Sequence, residues 1–198
     1  MRIVFATKNK DKLREISEIM KDTDVSVVSM VQAGINGEAV EDGSTFEENA
    51  LLKARYVYEQ NGKKDGDFIL ADDSGLEIDA LNKEPGVLSA RYLGKDTSYH
   101  EKNMNLIERL SGIADEDRTA RFVCAIAAIK PDGSELVIRE TMEGRIGYEE
   151  AGENGFGYDP IFFLPEYKKT SAEIPPEVKN EISHRGKALR RMCRELFF

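Results

Sequence analysis

Two adjacent acids, Asp72 and Asp73, follow the apolar run Phe68 to Ala71 in the stretch Phe68 to Ala80, FILADDSGLEIDA. In an open α/β sheet the ligand crevice lies outside the carboxyl ends of the strands, so a carboxylate at such an end is held on rigid backbone and aimed at a cleft. There it can bind a metal ion or take a proton from water. Side chains alternate along a strand, so the two acids address different faces and only one reaches the centre of the cleft. Ser74 and Gly75 predict a turn, after which Leu76, Ile78 and Ala80 alternate with Glu77 and Asp79 as a second, half-buried strand. The competing reading is a solvated turn, for which Asp, Ser and Gly are ordinary residues.

The residues that could meet an anion are spread along the chain. Thr7 Lys8 Asn9 Lys10 Asp11 Lys12 joins a strand, Ile3 to Ala6, to an amphipathic helix that turns Leu13, Ile16, Ile19 and Met20 inward. The unpaired amides of a first helical turn attract anions; Thr7 and Asn9 can cap the helix or bind phosphate oxygens, and Lys12 adds a full charge. The loop has no glycine and is not a Walker loop, and its alternative reading is a plain Asn9 cap with solvated lysines. Ser44 and Glu47 have capping-box spacing and open a helix to about Gln60, with Phe46, Ala50, Ala54 and Val57 apolar and Lys53 and Asn49 at the edge of that face. Glu41 lies in the loop before it. Gly155 Phe156 Gly157 Tyr158 Asp159 Pro160 places an aromatic ring between two glycines, where backbone can approach a ligand and the ring can stack on a base; the alternative is an aromatic turn that plugs the core. His184 and Arg185, at a junction between helices, could grip the polar edge of a heterocycle.

The elements that must carry these groups are those of a mixed α/β chain. Val25 to Ser29 reads as a strand, Pro85 Gly86 as a turn, and Leu88 to Tyr92 as a short strand. Tyr99 to Leu110 is a helix that packs through Met104, Ile107 and Leu110. Arg118 to Ile129 turns at Pro131 Asp132 Gly133 into Glu135 to Met142, extended by Glu143 to Ile146, and this long antiparallel element rules out a regular βαβ series. A helix begins at Pro175 Pro176 Glu177 with Lys179 inside it. A break over Ile182 to Gly186 precedes a last helix that buries Ala188, Leu189, Met192 and Leu196.

At 198 residues the chain can bury one large core, and residues 1–198 read as a single two-lobed domain. A net charge of −9 argues against a nucleic acid partner while leaving room for a small phosphorylated ligand. No apolar run approaches the ~20 residues of a membrane span, and the N-terminus reads as a first strand, not a signal peptide, so a cytoplasmic location is expected. Cys124 and Cys193 fall on apolar faces as small hydrophobes, and no Cys and His spacing suits zinc.

Taken in order, the motifs identify a family. T-x-N-x-x-K at Thr7, Asn9 and Lys12, Glu41 with Thr45 Phe46 Glu48 Asn49 Ala50, Lys53, ADDSGL at Ala71 to Leu76, and Pro85 Gly86 are followed by Ser89 Ala90 Arg91, Gly144 Arg145 Ile146, GFGYDP at Gly155 to Pro160, and Ser183 His184 Arg185. This pattern, over the length of the chain, resembles the inosine triphosphate pyrophosphatase family, the Ham1-like enzymes that remove non-standard purine nucleotides. Lys8 stands where many relatives have Gly, and Glu153 Asn154 replace small residues before Gly155.

The resemblance implies two α/β lobes on a long central mixed sheet with the active cleft between them, and a homodimer. It implies hydrolysis of a purine nucleoside triphosphate (ITP, dITP or XTP) to the monophosphate and pyrophosphate with Mg²⁺. Asp73 is then the general base and a metal ligand, Glu41 the second metal carboxylate with Asp72 a weaker candidate, and Lys53 a catalytic cation. Thr7, Lys8, Asn9, Lys12 and Ser74 face the phosphates. Phe156 stacks on the purine, while Gly157, Tyr158, Asp159, Lys179, His184 and Arg185 line the base and ribose end. A purine nucleotide sensor would need no acids, and a metal-dependent phosphomonoesterase would need no purine clamp.

Overall fold

The computed structural model describes residues 2–21, 25–61 and 66–197. Among these described residues, seven strands form one mixed sheet in the order β2-β1-β3-β4-β5-β6-β7: β1 Arg2–Phe5, β2 Ser26–Ser29, β3 Asp67–Ile78, β4 Thr119–Ile129, β5 Glu135–Ile146, β6 Phe162–Leu164 and β7 Lys169–Thr170. The helices are α1 Lys10–Met20, α2 Phe46–Gln60, α3 Tyr99–Arg109, α4 Pro176–Ile182 and α5 His184–Phe197. No helix among the described residues is long and apolar enough to cross a membrane.

The chain divides into two compact units. Unit 1 comprises Met1–Asp73, Cys124–Glu140 and Arg185–Phe198; unit 2 comprises Ser74–Val123 and Thr141–His184. In unit 1, β1 runs parallel to both β2 and β3, with Phe5 opposite Ser29 on one side and Leu70 on the other. Both faces of such a strand are covered, which is why Ile3, Val4 and Phe5 are all apolar. Its core joins Ile3, Phe5, Ile16 and Met20 to Leu70, Cys124, Ile126 and the α5 residues Ala188, Leu189 and Met192. Each fully buried aliphatic chain of this kind contributes about 1.5–3 kcal/mol. Cys124 is buried and Cys193 half-buried, and neither takes part in a disulfide among the described residues. In unit 2 the core gathers Leu76 and Ile78, Leu106 and Leu110, Phe122, Met142, Tyr158 and Phe162.

Five expectations are corrected. Ser74 and Gly75 make no turn: β3 passes straight through them, because Leu76 and Ile78 are buried and the Leu76 N–H is satisfied by the Ser89 hydroxyl, so sheet pairing outweighs local turn preference. Residues Gly86–Arg91 form a 3₁₀ helix instead of a strand, tied by the Ser89 hydroxyl donating to Gly86 O at 2.6 Å. The capping box on α2 is Thr45 with Glu48, one residue later than Ser44 with Glu47, and the Ser44 N–H and hydroxyl also donate to Glu48. Met104 is 45% exposed, because α3 turns Lys102, Asn103 and Leu106 inward. The break before the last helix also shortens to Ser183 alone, since α5 opens at His184.

Candidate active site

The acids of β3 lie just past the point where β1 ends. Phe5 pairs with Leu70 and Ala6 still donates to Leu70 O, while the chain of β1 then leaves into the Thr7–Asn9 loop. Asp72 and Asp73 therefore stand beyond the carboxyl end of the parallel part of the sheet although they are in mid-strand. Alternation sends them to different partners. Asp72, 2% exposed, receives the Lys12 ammonium at 3.1 Å on Oδ1 and 3.0 Å on Oδ2, and the Arg185 Nε at 3.3 Å. Asp73 receives the Lys53 ammonium at 2.6 Å, and the same ammonium reaches Glu41 at 3.1 Å.

Charges held this far from water shift one another. Burial alone would lower the Lys53 ammonium, but Asp73, Asp72 and Glu41 outweigh it and keep it above its ordinary value. Burial pushes the Asp73 carboxyl up, against the pull of Lys53 and Lys12 and with the help of Asp72. A carboxylate that holds its proton more tightly than usual is a better base, provided it is ionised at the working pH.

Glu41 and Asp73 converge on one ammonium, so the pair already suits a cation between them. Mg²⁺ commonly takes one or two carboxylates and completes its shell with water and phosphate oxygens. Among the described residues no group of three or more His, Cys, Asp or Glu could hold a metal ion, so an ion on Glu41 and Asp73 would draw its other oxygens from substrate and solvent.

The loop before α1 is used more for structure than its sequence suggests. Asn9 is the N-cap: its side-chain Oδ1 accepts from the Asp11 N–H at 2.9 Å and the Lys12 N–H at 3.1 Å, and its backbone N–H donates to the Thr7 hydroxyl at 3.1 Å. Lys8 is exposed and pairs with Glu38 at 3.2 Å. Of the loop's cations it is Lys12 that joins the carboxylates. Arg185 is 3% exposed and ties Asp72 to Glu15 of α1. Burial would depress the guanidinium, but Asp72 and Glu15 outweigh it and raise it. Arg185 is thus an internal member of the carboxylate cluster of unit 1. Glu15 escaped sequence reasoning; its signal was an acid three residues after Lys12 and directly before the buried Ile16.

In unit 2 the second set of candidates forms its own arrangement. Gly155 and Gly157 adopt left-handed φ of +75° and +69°, and a Cβ on Gly155 would meet Asp159 Oδ2 at 2.2 Å, so glycine is required there. Asp159 is buried and binds the loop together: Oδ2 accepts from the Phe156 N–H at 2.8 Å and the Lys179 ammonium at 2.7 Å, and Oδ1 accepts from the Ser171 hydroxyl at 2.9 Å. The Lys179 ammonium also sits 5.3 Å from the centroid of the half-buried Phe156 ring. Asp159 and Lys179 therefore brace the loop from inside. Tyr158 is a core residue, its hydroxyl donating to Ser89 O at 2.7 Å and burial holding its phenol well above the usual range. His184 is buried and stacks on Phe122, with ring centroids 5.0 Å apart. Ser74, the first residue of unit 2, is half-buried in β3.

Fold and sites together define an α/β protein with paired buried carboxylates, each matched by a lysine, and a glycine-flanked phenylalanine on a braced loop. The chain belongs to the Ham1 family, whose model matches residues 3–195. A relative from Clostridium perfringens named dITP/XTP pyrophosphatase is 44% identical over 193 residues, covering 96% of this chain and 95% of that one. Among solved structures, a HAM1 protein from Coxiella burnetii is 41% identical with a TM-score of 0.87, covering 99% of this chain and 98% of its own. The Staphylococcus aureus Ham1 protein is 39% identical with a TM-score of 0.86 and the same coverage.

Proposed function

We propose that the protein hydrolyses non-standard purine nucleoside triphosphates, dITP, XTP and ITP, to the monophosphate and pyrophosphate. The observation that carries this reading is the cluster Lys12–Asp72 and Lys53–Asp73–Glu41, set in a chain whose relatives bear the name dITP/XTP pyrophosphatase. Lys12 and Lys53 would neutralise phosphate oxygens that otherwise repel a nucleophile, and Ser74 would bind one of them. Asp73 would take the proton of a water whose oxygen attacks the α-phosphorus, as the bond to the bridging oxygen breaks and pyrophosphate leaves with that electron pair. Held by Glu41 and Asp73, Mg²⁺ would supply charge neutralisation and a more acidic water. Phe156 would stack on the purine, with Asp159 and Lys179 fixing the ring that does so.

We further propose a cytoplasmic location and, on the strength of the family resemblance, a homodimer. The test of function is incubation with ITP, XTP, ATP and GTP, with Mg²⁺ and with excess EDTA after metal stripping. ITP and XTP should yield monophosphate and pyrophosphate only with Mg²⁺. Orthophosphate as the first product would favour a phosphomonoesterase, and tight ITP binding without turnover a sensor.

A further inference from the structure

The Gly155–Asp159 loop is braced within by Asp159, but one of its carbonyls is held from α3. Asn103 is 1% exposed, and its side-chain amide donates to Gly157 O at 3.3 Å and to Glu150 Oε1 at 2.6 Å. A reversed amide would set its oxygen against a carbonyl and a carboxylate, both acceptors, so this orientation is forced. It leaves Asn103 Oδ1 buried with no hydrogen-bond partner among the described residues, an arrangement native proteins seldom keep without a reason. The two donations are what the fold retains in exchange. They are reinforced along the same helix face: the other Glu150 oxygen lies 2.7 Å from His100 Nδ1, and Tyr99 meets Tyr158 edge-on with ring centroids 5.3 Å apart.

We infer that Asn103 is a positioning residue for base recognition: by gripping the Gly157 carbonyl it fixes the Gly157–Tyr158 peptide, one residue beyond Phe156, and so the course of the loop and the angle at which that ring is presented. This rests on the reading of Phe156 as the purine-stacking residue. Two probes separate the inference from that reading and from a merely structural role, namely IMP, which carries the base, and inorganic tripolyphosphate, which does not.

Inhibition constants are measured for wild type, Phe156→Ala, Asn103→Leu and Glu150→Ala, with melting curves to establish folding. Asn103→Leu keeps the branched skeleton and removes both donors, and it should weaken IMP about tenfold, in keeping with the loss of a loop-anchoring hydrogen bond, while tripolyphosphate changes less than about twofold. If Asn103→Leu does not fold, Glu150→Ala, which frees one side of the amide, carries the test with an expected loss of about threefold for IMP alone. IMP binding that is lost in Phe156→Ala yet unmoved in the folded variant, or weakened in step with tripolyphosphate, overturns the inference. A wild type indifferent to IMP overturns the base-loop reading and the inference with it.

Discussion

Asp72 and Asp73 are neighbours in the chain and opposites in employment. Asp72 is closed in by Lys12, Arg185 and almost no solvent, whereas Asp73 shares one ammonium with Glu41. Asp73→Asn should lower kcat at least ~100-fold, the low end for removal of a general base, when steady-state rates with ITP are compared. An Asp72→Asn variant more crippled than Asp73→Asn would reverse the two roles. Titration offers a second view of Asp73 in the metal-free protein. Its folded pKa is raised above the ordinary Asp value, so between the two values the folded state holds a proton that the unfolded chain has released, and stability falls as pH rises through that window. Asp73→Asn removes this slope, so its stability relative to wild type should improve from about pH 4 toward neutrality in denaturant titrations. Arg185→Ala has a different consequence, since it removes the guanidinium that joins the buried Glu15 to Asp72, which keeps Lys12: we expect a loss of about 3–5 kcal/mol in unfolding free energy. An unchanged melting temperature would remove Arg185 from the cluster.

At the scale of elements, the signals that were legible were those that depend on apolar spacing. β1, α1, the Thr119–Ile146 hairpin and α5 stand close to where their periodicity put them, because each buries a continuous apolar face. What was not legible was buried polarity. Lys102 and Asn103 are hydrophilic by type and inward by position, the first donating to Ala90 O at 2.9 Å, and they rotate α3 so that Met104 faces out. The same blindness hid Glu15 and the internal place of Arg185, since no periodicity distinguishes a charge that will find a partner on a distant segment. Ser74 and Gly75 failed for the reverse reason, a local turn signal overruled by neighbours in the sheet. Arg118 extends the lesson: fully buried, it donates to Ile146 O, Leu110 O and Gly147 O at 2.8, 2.8 and 2.6 Å, so one guanidinium joins the end of α3 to the end of β5. Arg118→Met would leave the Ile146 and Gly147 carbonyls without this donor, Leu110 O keeping the Ile113 N–H, at about 1–3 kcal/mol each if water cannot reach them, and chemical denaturation should show a loss of at least about 2 kcal/mol. A smaller loss would mean that solvent replaces the guanidinium.

In the whole molecule the two compact units carry different sets of candidate groups. The carboxylate and lysine cluster belongs to unit 1 and the braced phenylalanine loop to unit 2, and β3 carries the chain from Asp73 to Ser74 at the boundary. The central claim is that the first cluster directs water at the α-phosphorus of a purine nucleoside triphosphate. Hydrolysis of ITP in ¹⁸O-labelled water with Mg²⁺, followed by mass spectrometry of the products, tests it most directly. The account predicts one labelled oxygen in IMP and none in the pyrophosphate, with ATP turned over far more slowly. Label in the pyrophosphate, or orthophosphate as the first product, would contradict it.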